Sequence, residues 1–282
     1  MLIRPRWYQP VFTAALLTLS FSLCARVQAQ DIPVDMDGRY NAIAWVQNAA
    51  EYQVLTRQTY RMALTQLNAG LMDRQWTADE VQLMNGNYQD KSPAIILDLD
   101  ETVLDNSAYN ARNVIDCKPY DLETWNAWCH EQKAVAIPGA IEFIEAARRM
   151  GVEVFFVTNR RDEVKESTIG NLKKLGVDAS DSNVLTRNDD EGRGGDKVSR
   201  RSTIAEQHRI VLLIGDNLSD ICSEVEISDN DLRNETANRK ADYLGSRWIL
   251  LPNPVYGSWE RSMHPGADGL RLDREAVSVD GK

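Results

Sequence analysis

The stretch Pro93-Ala94-Ile95-Ile96-Leu97-Asp98-Leu99-Asp100-Glu101-Thr102 decides how this chain folds. Residues 94–97 form an apolar run too short for a helix and unbroken enough for a strand covered on both faces. Two aspartates one residue apart follow at once. Further short apolar runs occur at residues 152–157, 210–214 and 248–251, and amphipathic stretches separate them. Pro138-Gly139 opens one such stretch, which runs to Gly151; Asp162 opens another, closed by Gly176. Strand, helix, strand in alternation predicts an α/β fold with a largely parallel sheet.

Upstream the texture is helical. Residues 40–67 read as one helix, with Ile43, Val46, Ala50 and Val54 on one side and Leu64 rejoining it after Arg57 and Arg61. Thr77-Ala78-Asp79-Glu80 is a capping-box pattern for a short helix that Asn85-Gly86-Asn87 ends. Residues 1–29 read as a secretory signal: Arg4 and Arg6 lead, residues 11–24 are apolar, and Val27-Gln28-Ala29 supplies small residues for cleavage before Gln30. The apolar run falls short of the roughly 20 residues that span a bilayer. A lipid anchor on Cys24 is the alternative, but Leu23 stands where a small residue normally precedes a lipidated cysteine.

The 282 residues carry 32 Lys+Arg against 42 Asp+Glu, a net charge of −10. Removing the signal takes away Arg4, Arg6 and Arg26 and no acid, leaving −13. Such a balance argues against a broad grip on nucleic-acid polymers or anionic lipid, which needs clustered cations. Export would place Cys117, Cys129 and Cys222 in an oxidising compartment. There Cys117 and Cys129 either close a short disulfide loop or pack reduced, and Cys222 reads as a buried spectator. Without a CxxC pair and with only His130, His208 and His264, zinc and thiol-redox chemistry lack their usual ligands.

Ligands of an open parallel sheet bind beyond the carboxyl ends of its strands. The residues there form a coherent set: Asp98 and Asp100 after the first run, Thr158-Asn159-Arg160-Arg161 after the second, and Gly215-Asp216-Asn217-Leu218-Ser219-Asp220 after the third, with Lys197 preceding the third. Asp98, Asp100, Asp216 and Asp220 offer hard oxygen ligands suited to Mg²⁺. Thr158 and nearby amides can bind phosphate oxygens, and Lys197 adds a point charge. A carboxylate nucleophile beside a cation and a phosphate suits an aspartyl-phosphate intermediate. Each residue alone has a plainer structural reading as a turn, a cap or a solvated side chain.

The ordered combination resembles the haloacid dehalogenase superfamily of phosphotransferases. The runs from Ile95 to Ser107, Val157 to Arg160, Gly215 to Asp220 and Leu251 to Trp259 are similar to the secreted class C acid phosphatases, the bacterial outer-membrane 5'-nucleotidase lipoprotein family. The resemblance covers roughly residues 40–260. It implies a Rossmann-like core at 93–260 with a cap insertion near 106–137, a helical accessory region at 30–92 and a C-terminal tail at 261–282. It also implies that Asp98 attacks phosphorus and that Asp100 protonates the leaving alcohol and then activates water. Asp98, the Asp100 carbonyl and Asp216 would hold Mg²⁺ with Asp220 in support, and Thr158, Asn159 and Lys197 would hold phosphate. Trp125 and Tyr256 would flank a nucleobase, or simply pack in the core as Trp128 would.

The function expected from all this is an exported, periplasmic or cell-surface phosphomonoesterase acting on nucleoside 5'-monophosphates. A broad acid phosphatase without base preference and a non-catalytic surface binding protein are the alternatives. The intact set of Asp98, Asp100, Thr158, Lys197, Asp216 and Asp220 argues against the last.

Overall fold

The computed structural model describes residues 38–188, 197–225 and 229–262. The expected signal segment, Cys24 and nearly all of the expected tail lie outside the described residues. At the centre is a five-stranded sheet formed by β1 (Ser92–Leu97), β4 (Glu153–Arg161), β5 (Val184–Arg187), β6 (His208–Gly215) and β7 (Trp248–Leu250). Its order is β5-β4-β1-β6-β7 and every pairing is parallel. β2 (Leu104–Asp105) and β3 (Val135–Ala136) pair antiparallel beside it. Between them run α4 (Ser107–Ile115) and α5 (Leu122–Glu131), in the segment where the cap insertion is expected.

β1 and β6 are buried along nearly their whole length, as their uninterrupted apolar sequences require of strands covered on two faces. On one face Ala94, Ile96, Ile210 and Leu213 pack with Trp248 and with Ile204 of α8 (Val198–Gln207). The other face receives α6 (Ala140–Arg149) and α2 (Ala50–Met72). The second strand continues past its apolar run: Thr158 to Arg161 lie within β4, whose pairing with β5 shifts register between Val157 and Arg161. β5 is an addition to the sequence reading. Its four residues, Val184-Leu185-Thr186-Arg187, contain only two aliphatic side chains and give too weak a pattern to detect. The helix expected from Asp162 begins as a 3₁₀ turn (Asp162–Val164) and becomes α7 (Lys165–Lys174).

The single helix expected over 40–67 is two helices, α1 (Arg39–Asn48) and α2 (Ala50–Met72), because Ala49 adopts an extended conformation between them. The break rotates the buried stripe. Beyond it Tyr52, Thr56, Tyr60, Ala63 and Leu67 face inward, while Val54 is 52% exposed, so Val54 does not continue the face begun by Ile43 and Val46. Gly70 lets α2 approach β6, since a Cβ there would lie 2.6 Å from Val211 Cγ1. Arg209 Nη1 then donates to the carbonyls of Gly70, Asp73 and Trp76 at 2.9, 3.1 and 2.9 Å, satisfying oxygens at the end of the helix and in the turn that follows it. The next helix, α3 (Glu80–Asn85), is capped by Asp79, which accepts from the Gln82 amide, and not by Thr77. The Thr77 hydroxyl instead meets Gln82 Oε1 and the Ile210 carbonyl.

The sulfurs of Cys117 and Cys129 are unbonded: Cys117 is exposed, and Cys129 is buried on α5. The geometry therefore corresponds to the reduced alternative. Among the described residues no helix is long and apolar enough to cross a membrane.

Tyr60 links α2 to the segment after β1, its buried hydroxyl donating to the Thr102 carbonyl at 2.6 Å. Tyr60→Phe leaves that carbonyl without its partner and should lower stability by about 1 to 3 kcal/mol, measured as a fall in the urea midpoint at unchanged slope.

Candidate active site

β1 ends at Leu97, and Asp98 extends its line with an amide that donates to the Ile214 carbonyl at 2.9 Å. Because β1 lies between β4 and β6, side chains from three strand ends converge here. They line a cavity of about 750 Å³ that includes Asp98, Asp100, Asn159, Lys197, Asp216 and Asp220, with Trp125 and Tyr256 on its walls. Of the residues expected in the site, Thr158 alone is not in the lining. It is fully buried behind the surface and its Oγ1 accepts from the Arg160 amide at 3.1 Å.

Carboxylate oxygens of Asp98, Asp216 and Asp220 lie within 4.8 Å of one another. Lys197, at the start of α8, pairs with Asp98 Oδ1 and lies 2.8 Å from Asp220 Oδ1. Asp220 sits on the short helix α9 (Leu218–Ile221) and accepts the Asn217 amide through Oδ2 at 3.0 Å. Gly215 admits it: a Cβ there would stand 2.6 Å from Asp220 Cβ. Asp216 accepts from Thr102 Oγ1 at 3.3 Å and from Asn253 Nδ2 at 2.8 Å. The donor set is hard oxygen with one ammonium among several carboxylates, which fits a divalent cation.

Burial pushes the Asp98 carboxyl up to about 7, although Lys197 opposes the shift. Burial, with Asp220 and Asp98 nearby, holds Asp216 well above the usual carboxylate range. Burial disfavours the Lys197 ammonium, yet Asp220 and Asp98 more than offset this and keep it above an ordinary lysine.

Asp100 has partners that the sequence reading left out. Arg160 reaches Asp100 Oδ1 with Nε at 2.9 Å and Nη2 at 2.8 Å, and Asn106 Nδ2 reaches the same oxygen at 2.9 Å. The signal was present: Arg160 follows Thr158 by two positions on a strand and so shares its side of the sheet. Glu101, at φ 58°, is buried and bonds the Tyr256 hydroxyl; burial raises its carboxyl well above the ordinary range. Trp125 packs edge-on against Tyr109, ring centres 5.1 Å apart, and is tilted against Tyr120. Trp128 is a buried support, its Nε1 donating to Asn106 Oδ1 at 2.8 Å.

A five-stranded parallel sheet with paired aspartates at the end of its central strand defines an α/β phosphotransferase-type architecture. The family described as HAD superfamily, subfamily IIIB (Acid phosphatase) matches residues 18–259, and the chain belongs to it. Two solved structures of the class C acid phosphatase from Bacillus anthracis, one with tungstate bound, are each similar at TM-score 0.69 and 33% identity. Each match covers 79% of this chain and 87% of that one. Acid phosphatase 1 of Solanum lycopersicum is 28% identical over 164 residues, a match spanning 57% of each protein.

The raised Asp98 carboxyl has a consequence for stability. Between about pH 4, where an unfolded aspartate releases its proton, and about pH 7, the folded protein retains a proton that the unfolded chain has lost. Chelator-treated protein should therefore lose stability as pH rises through this window. Asp98→Asn should reduce the loss by the share due to Asp98, leaving that of Asp216 and Glu101, read from urea unfolding at a series of pH values.

Proposed function

We propose that this chain is an exported, Mg²⁺-dependent phosphomonoesterase that hydrolyses nucleoside 5'-monophosphates through an aspartyl-phosphate on Asp98. The observation that carries this reading is the convergence of Asp98, Asp100 and Lys197 with Asp216 and Asp220 on one cavity. Tungstate binding by the Bacillus anthracis relative supports it, since tungstate is a tetrahedral oxyanion like phosphate. The apolar segment ending Val27-Gln28-Ala29 supports export.

In this reading a carboxylate oxygen of Asp98 attacks phosphorus in line with the departing alcohol, while Asp100 gives that alcohol a proton. Asp100 then takes a proton from water as the water attacks phosphorus, breaking the bond to Asp98 and releasing phosphate. Lys197 stabilises the charge on the transferring group. Asn159 positions phosphate oxygens near the end of β4, and Thr158, buried behind the lining, braces the strand there through the Arg160 amide. Asp98, the Asp100 carbonyl, Asp216 and Asp220 would hold Mg²⁺, which when bound supplies charge neutralisation to the phosphate oxygens.

Trp125 and Tyr256 supply aromatic surface for a base. A broad phosphatase without base preference is the second reading, favoured by the internal partners both rings already have: Tyr109 and Tyr120 for Trp125, and Glu101 for the Tyr256 hydroxyl.

Phosphate release from a panel of monophosphates tests the assignment. Asp98→Asn should remove nearly all turnover, and wild-type activity in that variant would rule out the aspartyl-phosphate. Chelation should silence the enzyme and Mg²⁺ restore it, whereas restoration by Zn²⁺ alone would overturn the cation assignment.

Trp125→Ala should lower kcat/KM for nucleotides by roughly ten- to a hundredfold, the range expected for a lost stacking contact. A small phosphoester that never reaches the ring should be scarcely affected. Equal losses on both would favour the broad phosphatase.

A further inference from the structure

Arg160 is an expensive residue to place where it stands. Its side chain is buried, with relative exposure of 2%, and a buried guanidinium is tolerated only when its charge and its donors are matched. Each of its three nitrogens has a partner. Nε and Nη2 go to Asp100 Oδ1, Nη2 also approaches Asn106 Oδ1 at 3.2 Å, and Nη1 donates to Thr168 Oγ1 at 3.2 Å. The guanidinium carbon lies 5.4 Å from the centre of the Trp125 ring. Asn106 is itself fixed by Trp128 Nε1 and sends its own Nδ2 to Asp100 Oδ1.

All three donors meet one oxygen. Among the described residues, none donates to Asp100 Oδ2. An aspartate carboxyl otherwise rotates broadly about its last torsion, which would exchange its two oxygens. The rigid fork of an arginine removes that freedom, as a lysine with a single ammonium could not.

We propose that Arg160, with Asn106, is a positioning residue that saturates Asp100 Oδ1 and so dedicates Oδ2 to proton exchange with the leaving group and then with water. The proposal rests on the reading of Asp100 as acid and base. In the first step the bond from phosphorus to the leaving oxygen breaks, the bond from Asp98 to phosphorus forms, and the proton on Oδ2 passes to the leaving oxygen. In the second, water adds to phosphorus, its proton passes to Oδ2, and the bond to Asp98 breaks. Arg160 neither gives nor receives a proton.

Leaving-group dependence separates this role from a merely structural one. kcat/KM reports the steps through loss of the alcohol. It can be measured on p-nitrophenyl phosphate, whose leaving group departs with little protonation, and on a simple alkyl phosphate, whose alcohol needs a proton. Asp100→Asn sets the reference and should hurt the alkyl ester far more than the aryl ester. Arg160→Gln should do the same, with a loss about ten- to a hundredfold larger on the alkyl ester, while competitive inhibition by inorganic phosphate stays unchanged. Arg160→Lys, which keeps the buried charge but not the fork, should show a smaller bias in the same direction, and it replaces Arg160→Gln in the test if that variant does not fold. Equal losses on both esters in the Arg160 variants, or weakened phosphate inhibition, overturn the proposal if Asp100→Asn discriminates. If Asp100→Asn does not discriminate, the acid role of Asp100 fails and the proposal falls with it.

Discussion

The Lys197 ammonium, buried between Asp98 and Asp220, is the contact on which the rest of the site depends. Parallel strands deliver Asp98 and Asp216 to neighbouring ends of one sheet, and α9 delivers Asp220 beside them. Burying so many carboxylates together is costly unless a cation shares the space. With Lys197 in place the cluster holds together, one ammonium among the carboxylates of Asp98, Asp216 and Asp220. Removing one member of such a buried pair typically costs about 3 to 5 kcal/mol, because the other charge is left uncompensated. The groups that this ammonium holds together in the fold are thus the same ones that could hold a cation.

A second charged pair, Arg160 with Asp100, is arranged on another principle. There the charges balance within the pair, and the hydrogen bonds are distributed unevenly over the carboxylate. The two pairs stand side by side at the ends of β1, β4 and β6, one poised to accept further positive charge and one internally complete. α2 helps hold this arrangement from below through Tyr60, so the helix ahead of the sheet also touches the segment that carries the aspartates.

Much of this was legible in the sequence because it rests on local pattern. Four short apolar runs marked four of the five strands, and the residues at the ends of three of them marked Asp98, Asp100, Asn159, Asp216 and Asp220. What escaped depends on contacts between distant residues or on single backbone angles. Arg160 meets Asp100 across 60 positions and Tyr256 meets Glu101 across 155, and neither pairing leaves a periodic trace. The extended Ala49 splits one helical pattern into two without a proline or glycine to announce it. Asp79 and Thr77 are both good helix caps, and only the position of β6, which takes the Thr77 hydroxyl, selects Asp79.

The loop after β7 carries Asn253, which holds Asp216, and Tyr256, which holds Glu101, so the cavity is built from the first strand of the sheet and from residues more than 150 positions later. During synthesis the aspartates of β1 leave the ribosome long before the groups that orient their neighbours. A nascent chain that has reached β6 already presents Asp98 and Asp216, but not the amide of Asn253 or the wall formed by Tyr256. The pocket therefore waits on the loop after β7, however early the aspartates of β1 emerge.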